Sequence, residues 1–214
     1  APFGGVERKF STAPYCVGIP RPGQPPIVLD FATSVVAEGK VMVASRGGKP
    51  VPKGALIATD GHLSEDPAEL YGPYSPEGPR DHSKGTGAIR AFGEHKGSGL
   101  ALICELLGGA LTGNGATRIG RPMTNGMLAI YIDPARVDPA HFFDGEVARY
   151  IADVKSSRTV AGVDDVLIPG EPEQRTRAER GKTGVPLPDE TWAAIAAAAR
   201  TVGITEERIR QVTA

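Results

Sequence analysis

The longest apolar stretch of the sequence follows a short glycine-rich segment, and together they read "AFGEHKGSGLALICELLGGALTG", residues 91–113. Leu100, Ile103 and Leu107 recur at helical spacing, and Glu105 is the one charged residue after Gly99. A helix that is apolar nearly all round is buried, either under a sheet or in a subunit interface. The sequence therefore predicts a domain built around this helix, with a histidine and a lysine at the start of the helix.

The charge balance and the apolar runs of the sequence give no support to several classes of protein. The 214 residues include 24 basic and 25 acidic side chains, which gives no electrostatic argument for binding nucleic acid or an anionic membrane. No apolar run approaches the roughly 18 residues of a membrane span, and the first residues lack the pattern of a signal peptide. Two cysteines without a CxxC motif favour a reducing compartment, so a cytoplasmic protein is predicted.

The order of predicted elements is typical of an α/β protein. "CVGIP" and "PPIVLDF" predict two strands, followed by a helix that Thr33 or Ser34 caps and Gly47 ends. Residues 47–90 are predicted to be mostly loop, with a long excursion at 72–87. The rest of the chain predicts four elements: a strand at "MLAIYID", a helix at "FFDGEVARYIADVKSS", a short strand running into a loop at "DVLIPGEPEQR", and a helix at "LPDETWAAIAAAARTVGI" with Asp189 as N-cap and Gly203 beyond its end. With no second shift of composition, residues 1–214 are predicted to form one domain that ends in helices.

The glycine-rich segment at 93–99 matches neither standard phosphate loop. A Walker loop requires Ser or Thr directly after its lysine, whereas Lys96 precedes Gly97. The dinucleotide fingerprint would need a third glycine where Leu102 stands, so a Rossmann domain is disfavoured. Free amides at a helix start and the charge of Lys96 still suit an anion. The alternative is a solvated loop that leads into a core helix.

Other candidate residues each have a structural alternative. Asp30 ends a strand predicted to be buried, where a carboxylate caps a helix or binds a ribose hydroxyl. The acidic segment "TDGHLSEDP" suggests a metal, but its spacing fits a turn better than a zinc or calcium site. Arg175 in "PGEPEQR" suits either a phosphate or solvent. Cys16 lacks a context that would lower its pKa and is expected to be half-buried in a strand.

Six blocks in order carry a resemblance to a known family: "APFGGVERKFSTAP", "PIVLDFATSVVAEGKV", "DGHLSEDP", "AFGEHKGSGLALICELLGGALTG", "NGMLAIYID" and "VLIPGEPEQR". Together they resemble the malate/L-lactate dehydrogenase family, which includes sulfolactate and ureidoglycolate dehydrogenases and piperideine-carboxylate reductase. The resemblance implies a three-layer α/β/α fold around a mixed sheet, which is not a Rossmann fold. It also implies hydride transfer between NAD or NADP and a small 2-hydroxy or 2-oxo acid, in a cytoplasmic homodimer.

The resemblance assigns roles to numbered positions. Thr12 would lie near the substrate, and no metal is implied. The residues that would bind the cofactor are Asp30, Phe31, Ala32, Thr33, His95, Lys96, Gly97, Pro169, Gly170, Glu171 and Arg175, those from Pro169 to Arg175 forming a loop that closes over it. The anion at His95 and Lys96 would be the pyrophosphate. Arg175 and Arg177 could accept the 2′-phosphate of NADP, but the sequence does not settle which cofactor is used.

The sequence also departs from the family. Ser11 and Ala13 replace the usual Gly and Asn, and Lys40 replaces an aspartate of the imino-acid reductases, which favours a hydroxy-acid dehydrogenase. Family members carry an earlier segment with the catalytic His, a Ser and a substrate-binding Arg. No catalytic residue is therefore expected in this chain, and a separate N-terminal segment or chain is expected to supply them. Two alternatives stay open: a non-catalytic nucleotide-binding fragment or scaffold, and a metal-dependent hydrolase that uses the acidic segment at 60–66.

Overall fold

The computed structural model describes residues 1–47, 49–74, 81–118, 120 and 124–212. Helices and short strands interleave along the chain, which confirms the predicted α/β class. The chain divides into two compact units, Ala1–Glu171 and Pro172–Ala214. The single domain expected from composition stays a prediction, and each unit is described by itself.

The first unit begins with the predicted hairpin. Strands β1 (Pro14–Ile19) and β2 (Ile27–Ala32) pair antiparallel, with Cys16 opposite Asp30. Both strands are largely exposed, so the expectation that Asp30 ends a buried strand is wrong, and Cys16 is exposed rather than half-buried. A two-stranded hairpin can bury its faces only against other elements.

Helix α1 (Glu38–Ser45) begins later than predicted, with Ala37 as its N-cap residue. Thr33 and Ser34 do not cap it because the chain is still extended there: Ser34 forms a β-bridge with Ala91, and the amide of Val35 donates to the carbonyl of Arg90 at 2.8 Å. Gly47, at φ 78°, follows the helix in the left-handed conformation, as predicted for its end.

The segment predicted to be mostly loop contains a small sheet. Strand β3 (Leu56–Ile57) lies between β4 (Leu63–Ser64) and β5 (Ala88–Ile89), and both pairings are antiparallel. The same segment also contains helix α2 (Ala68–Tyr71) and a 3-10 turn (His82–Lys84). Residues 75–80 of the predicted excursion lie outside the described residues. The main buried apolar cluster of the first unit lies in this segment, on α1 and directly before α1: Val36, Val41, Val51, Ala55, Leu56, Leu70, Tyr71 and Ile89. Every pairing described is antiparallel, whereas the family resemblance implies a mixed sheet.

Arg8 joins the N-terminal block to this core. Its Nε donates to the carbonyl of Gly87 at 2.6 Å and its Nη2 to the carbonyl of Gly85 at 2.8 Å, and Nη1 donates to His82. Because one guanidinium has five donors in a fixed plane, it can satisfy several carbonyls that no strand pairs. Arg8 therefore stabilises a turn-rich stretch that has little regular secondary structure.

Helix α3 (His95–Cys104) continues as a π-helical segment (Glu105–Ala110). Burial of this helix within the chain is not seen, because Leu102 is 47% and Leu106 46% exposed, and its burial in a subunit interface stays a prediction. The "MLAIYID" segment forms no strand in the described structure, and Tyr131 is 93% exposed. Both segments are apolar, but neither finds enough apolar surface in the described chain to pack against.

The remaining elements are helices. In the first unit, α4 (Pro134–Val137) precedes α5 (Phe142–Lys155), which confirms the predicted helix. The strand predicted at the start of "DVLIPGEPEQR" does not form, and helix α6 (Glu171–Thr183) takes the place of the predicted loop from Glu171 onward. Pro172 suits a first helical turn, and the residues after it are mostly good helix formers. The second unit also contains α7 (Asp189–Thr201) and α8 (Glu206–Gln211).

Two details of these last helices bear on the predictions. Gly203, at φ 80°, ends α7 as expected, but Pro188 rather than Asp189 is the N-cap residue.

None of the helices in the described ranges combines the length and apolarity that a membrane crossing requires.

Candidate functional site

The start of α3 packs directly on the chain that leaves β2. A Cβ added to Gly97 would lie 2.3 Å from the carbonyl oxygen of Phe92 and 2.9 Å from that of Thr33, so only glycine permits this approach. The amide of Phe92 donates to the carbonyl of Thr33 at 3.1 Å. Two of the predicted cofactor blocks, 30–33 and 95–97, therefore lie side by side, although Gly97 serves the packing of the helix.

The amides at the start of α3 are less available than the sequence suggests. Those of Lys96 and Gly97 donate to the carbonyls of Gly93, at 3.1 Å, and Phe92, at 2.9 Å. The expectation of free amides is therefore wrong at these two positions. An anion at this end of the helix would not meet the amides of Lys96 and Gly97.

The side chains of His95 and Lys96 are exposed at this end of α3. The imidazole of His95 packs edge-on against the ring of Phe3, with centroids 5.9 Å apart. Within the described part of the chain, the Lys96 ammonium has no ion-pair partner. Glu94 precedes them at φ 59°, a strained conformation for a residue with a side chain, and an ion pair of 2.9 Å with Arg90 holds it.

The block predicted to lie near the substrate, around Thr12, also contacts the chain that leaves β2. The amide of Thr33 donates to the carbonyl of Ala13 at 3.1 Å, so Thr12 lies next to an anchored residue. Phe31 packs edge-on against Phe92, with centroids 5.4 Å apart. Thr33 itself is only 2% exposed, so its side chain contributes to packing, whereas Asp30 is exposed.

Glu105 is a buried carboxylate that the sequence analysis did not assign to a site. Its Oε1 accepts bonds from the amide of Ser11 at 2.8 Å, the hydroxyl of Ser11 at 2.7 Å and the hydroxyl of Thr117 at 2.6 Å. Its Oε2 accepts from the amide of Thr117 at 2.6 Å. Burial raises the pKa of Glu105, but these hydrogen bonds outweigh burial and hold the pKa below its usual value. Its position as the lone charge in an apolar helix was the signal available in the sequence.

The predicted cofactor loop from Pro169 to Arg175 is wrong as a loop, because α6 begins at Glu171. The carbonyl of Pro169 accepts from the amide of Val28 at 3.3 Å, which brings Pro169 to β2, and Gly170 adopts φ 95°. Both carboxylate oxygens of Glu171 accept from Lys155, at 2.8 and 2.7 Å, so this side chain already has a structural partner. Arg175 is an exposed residue of α6 in the second unit.

Other polar groups lie apart from these blocks. His62 pairs with Asp60, and its Nε2 is 3.8 Å from Glu69, but the described residues contain no group of three side chains placed to hold a metal ion. An open cavity of about 350 Å³ is lined by none of the predicted site residues. Two of the aspartates that line it, Asp133 and Asp138, accept from amides at the starts of α4 and α5.

Comparison with known proteins supports the resemblance. The sequence pattern of the malate/L-lactate dehydrogenase family matches residues 1–196. Hydroxycarboxylate dehydrogenase B of Escherichia coli (strain K12) is 39% identical over 218 residues, which cover 98% of this chain and 56% of that protein.

Two solved structures extend the similarity to the fold. A candidate malate/lactate dehydrogenase from E. coli superposes with a TM-score of 0.78 at 36% identity, covering 99% of this chain and 57% of that one. Sulfolactate dehydrogenase from Methanocaldococcus jannaschii gives 0.71 at 28% identity, covering 97% and 57%. The fold is thus the α/β fold of sulfolactate dehydrogenase and not a Rossmann fold.

The match extends over nearly all of the chain, while the chain spans little more than half of each of these relatives. The blocks that carry the resemblance include those that the structure brings together at β2 and the start of α3. The chain belongs to the malate/L-lactate dehydrogenase family.

Proposed function

We propose that this protein is an NAD(P)-dependent dehydrogenase of small 2-hydroxy acids, of the malate or lactate type, and that this chain supplies the cofactor side of the site. The observation that carries the proposal is the junction of three predicted blocks. Thr33 bonds to Ala13 on one side and to Phe92 on the other, next to Gly97 and the exposed Lys96. Membership of a family of hydroxy-acid dehydrogenases supports the same reaction.

The residues at the start of α3 fit an anionic cofactor through their side chains. Lys96 is exposed and unpaired in the described chain, and an ammonium beside a pyrophosphate forms a charge-assisted hydrogen bond. His95 beside Phe3 offers a second donor on the same turn. When bound, the nicotinamide would supply or accept the hydride. Asp30, exposed on β2, would accept a hydrogen bond from a ribose hydroxyl.

The reacting acid would lie by Thr12, whose hydroxyl can orient a polar group of the substrate. Reduction of a carbonyl also requires a proton donor and a cation that binds the carboxylate. We assign neither role to a residue of this chain. We propose that another segment or a second chain supplies both roles, and that the active protein is a homodimer.

Isothermal titration of NADH and NADPH into the chain tests the cofactor site, with the same titrations repeated on Lys96→Ala. Loss of the ammonium should weaken the binding free energy by about 1–3 kcal/mol, the range for a hydrogen bond to a charged group. Lys84→Ala, which removes an exposed lysine from the 3-10 turn, is the matched control and should bind as the wild type does.

The outcomes separate the hypotheses. If Lys84→Ala and Lys96→Ala weaken binding equally, Lys96 is not a ligand. If the full-length gene product binds a nucleotide but turns over no 2-oxo acid, the non-catalytic alternative is favoured. If the full-length gene product binds neither NADH nor NADPH, the dehydrogenase proposal and the non-catalytic alternative are both contradicted.

A further inference from the structure

The buried carboxylate of Glu105 connects three parts of the chain. It lies at the start of the π-helical segment and accepts both donors of Ser11 and both donors of Thr117. Ser11 is held by its amide and its hydroxyl together, which fixes both the position and the orientation of this residue. Two residues later, the carbonyl of Ala13 accepts from Thr33. Thr12 is thus flanked on both sides by anchored residues.

We infer that Glu105 is a positioning residue, which sets the place of Thr12 relative to the cofactor-side residues around Thr33. The inference rests on the proposed function, since it assigns a task to Thr12 in substrate binding. Glu105 acts only through Ser11, and no contact between Glu105 and the substrate is required.

The chemistry of the contact explains why a carboxylate is present. An ionised carboxylate only accepts, so it can serve four donors at once, whereas an amide would turn its NH2 group toward one of them. Burying an ionised group costs free energy that an apolar residue in the same helix would not. A buried carboxylate in a helix that has no other charge after Gly99 therefore suits precise placement of the segments it holds better than it suits stability alone.

Ser11 and Thr117 provide a matched pair of variants. Ser11→Ala and Thr117→Val each delete one hydroxyl that donates to the same carboxylate oxygen, at 2.7 and 2.6 Å. Their structural cost should therefore be similar. Only Ser11 adjoins Thr12. Ser11→Thr keeps the hydroxyl and serves as the conservative rescue variant.

The test measures kcat and KM for the 2-oxo acid in the full-length gene product, with the Kd for the nucleotide and the melting temperature of each variant. Ser11→Ala should raise KM by about fivefold or more with the nucleotide Kd unchanged, the effect expected for one hydrogen bond. Thr117→Val should leave KM unchanged at a similar loss of melting temperature, and Ser11→Thr should restore KM.

Each alternative result is decisive. If both hydroxyl deletions raise KM in proportion to their loss of melting temperature, Glu105 has a structural role only and the inference is overturned. It is also overturned if neither deletion changes KM. If the wild type transfers no hydride with any 2-oxo acid, the proposed function fails first and the inference falls with it.

Discussion

The turn-rich segment (residues 47–91) and the leucine helix (α3 with its π-helical continuation) contrast sharply in burial. The turn-rich segment contains few regular elements, yet Leu56 is 0% and Tyr71 2% exposed. The leucine helix is the most apolar stretch of the sequence, yet Leu107 is 40% and Leu111 67% exposed. Local hydrophobicity therefore did not decide which of the two forms the core.

The difference teaches that burial depends on what each surface has to pack against. The turn-rich segment packs its apolar side chains against one another and against those of α1, and Arg8 satisfies carbonyls that a loop would otherwise present to solvent. The leucine helix anchors in the described chain mainly through small or polar residues: Gly97, Ser98, Ala101 and Glu105. Its leucines gain little from the hydrophobic effect in this chain, since apolar stabilisation scales with the area removed from water.

The largest effect is expected for Leu56→Ala. Leu56 lies on the central strand β3 and is completely buried, so the smaller side chain leaves a cavity and should lower the free energy of unfolding by about 2–5 kcal/mol. Leu63→Ala on the neighbouring strand, at 55% exposed, should cost much less. Urea denaturation followed by circular dichroism measures both. Equal losses would contradict the assignment of the core to the turn-rich segment.

A smaller loss is expected for Arg8→Met, which keeps the length of the side chain but deletes its donors. The carbonyls of Gly85 and Gly87 lose a charged partner, and the free energy of unfolding should fall by about 1.5–3 kcal/mol. Amide hydrogen exchange across residues 81–90 should accelerate in the same variant. Arg149→Met, which breaks a surface ion pair with Glu146, is the control. An unchanged exchange rate in Arg8→Met would show that Arg8 does not hold this segment.

A pH-dependent effect is expected for Glu105→Gln, with a loss of about 1–2 kcal/mol at pH 7. The pKa of Glu105 is lower in the folded protein than its usual value of 4.5, so ionisation favours folding. That stabilisation is fully present above pH 4.5 and is lost as the pH falls through the folded-state pKa. Denaturation of both proteins across this range should show the wild-type advantage shrinking toward low pH. A constant difference would mean that the charge of Glu105 contributes nothing.

The smallest effect is expected for Leu106→Gln on the leucine helix. Leu106 is 46% exposed, and its substitution should change the free energy of unfolding by less than about 1 kcal/mol. The free energy of unfolding of Leu106→Gln and of Leu56→Ala is measured by urea denaturation at two protein concentrations, since burial between chains makes stability depend on concentration. A loss as large as that of Leu56→Ala, growing with concentration, would show that this surface is buried between chains in solution.

Several elements followed from local sequence and were confirmed. The hairpin was predicted from two β-rich runs around a turn, and the helix at 142–155 from the segment "FFDGEVARYIADVKSS". The predictions failed where tertiary contacts compete with local preference. Thr33 and Ser34 look like N-caps, but pairing with the chain at 90–92 keeps them extended, and "MLAIYID" looks like a strand but has no partner strand in the described chain.

The predictions about the candidate site also succeeded in part and failed in part. The order of the motif blocks identified the family. The residue types of Asp30, His95 and Lys96 made them candidates for binding a nucleotide, and the resemblance assigned them that role. The sequence could not show that Glu171 is paired with Lys155, or that the amides of Lys96 and Gly97 are already bonded. These are properties of contacts between residues far apart, or of the final backbone geometry.

The sequence by itself therefore determined the family, through the order of its six motif blocks, and the α/β class, through the order of its predicted elements. Only the tertiary structure decided which apolar surface forms a core and which stays exposed. It also decided that Glu105 links Ser11 to Thr117, because a buried carboxylate is stable only where the fold brings enough donors to it.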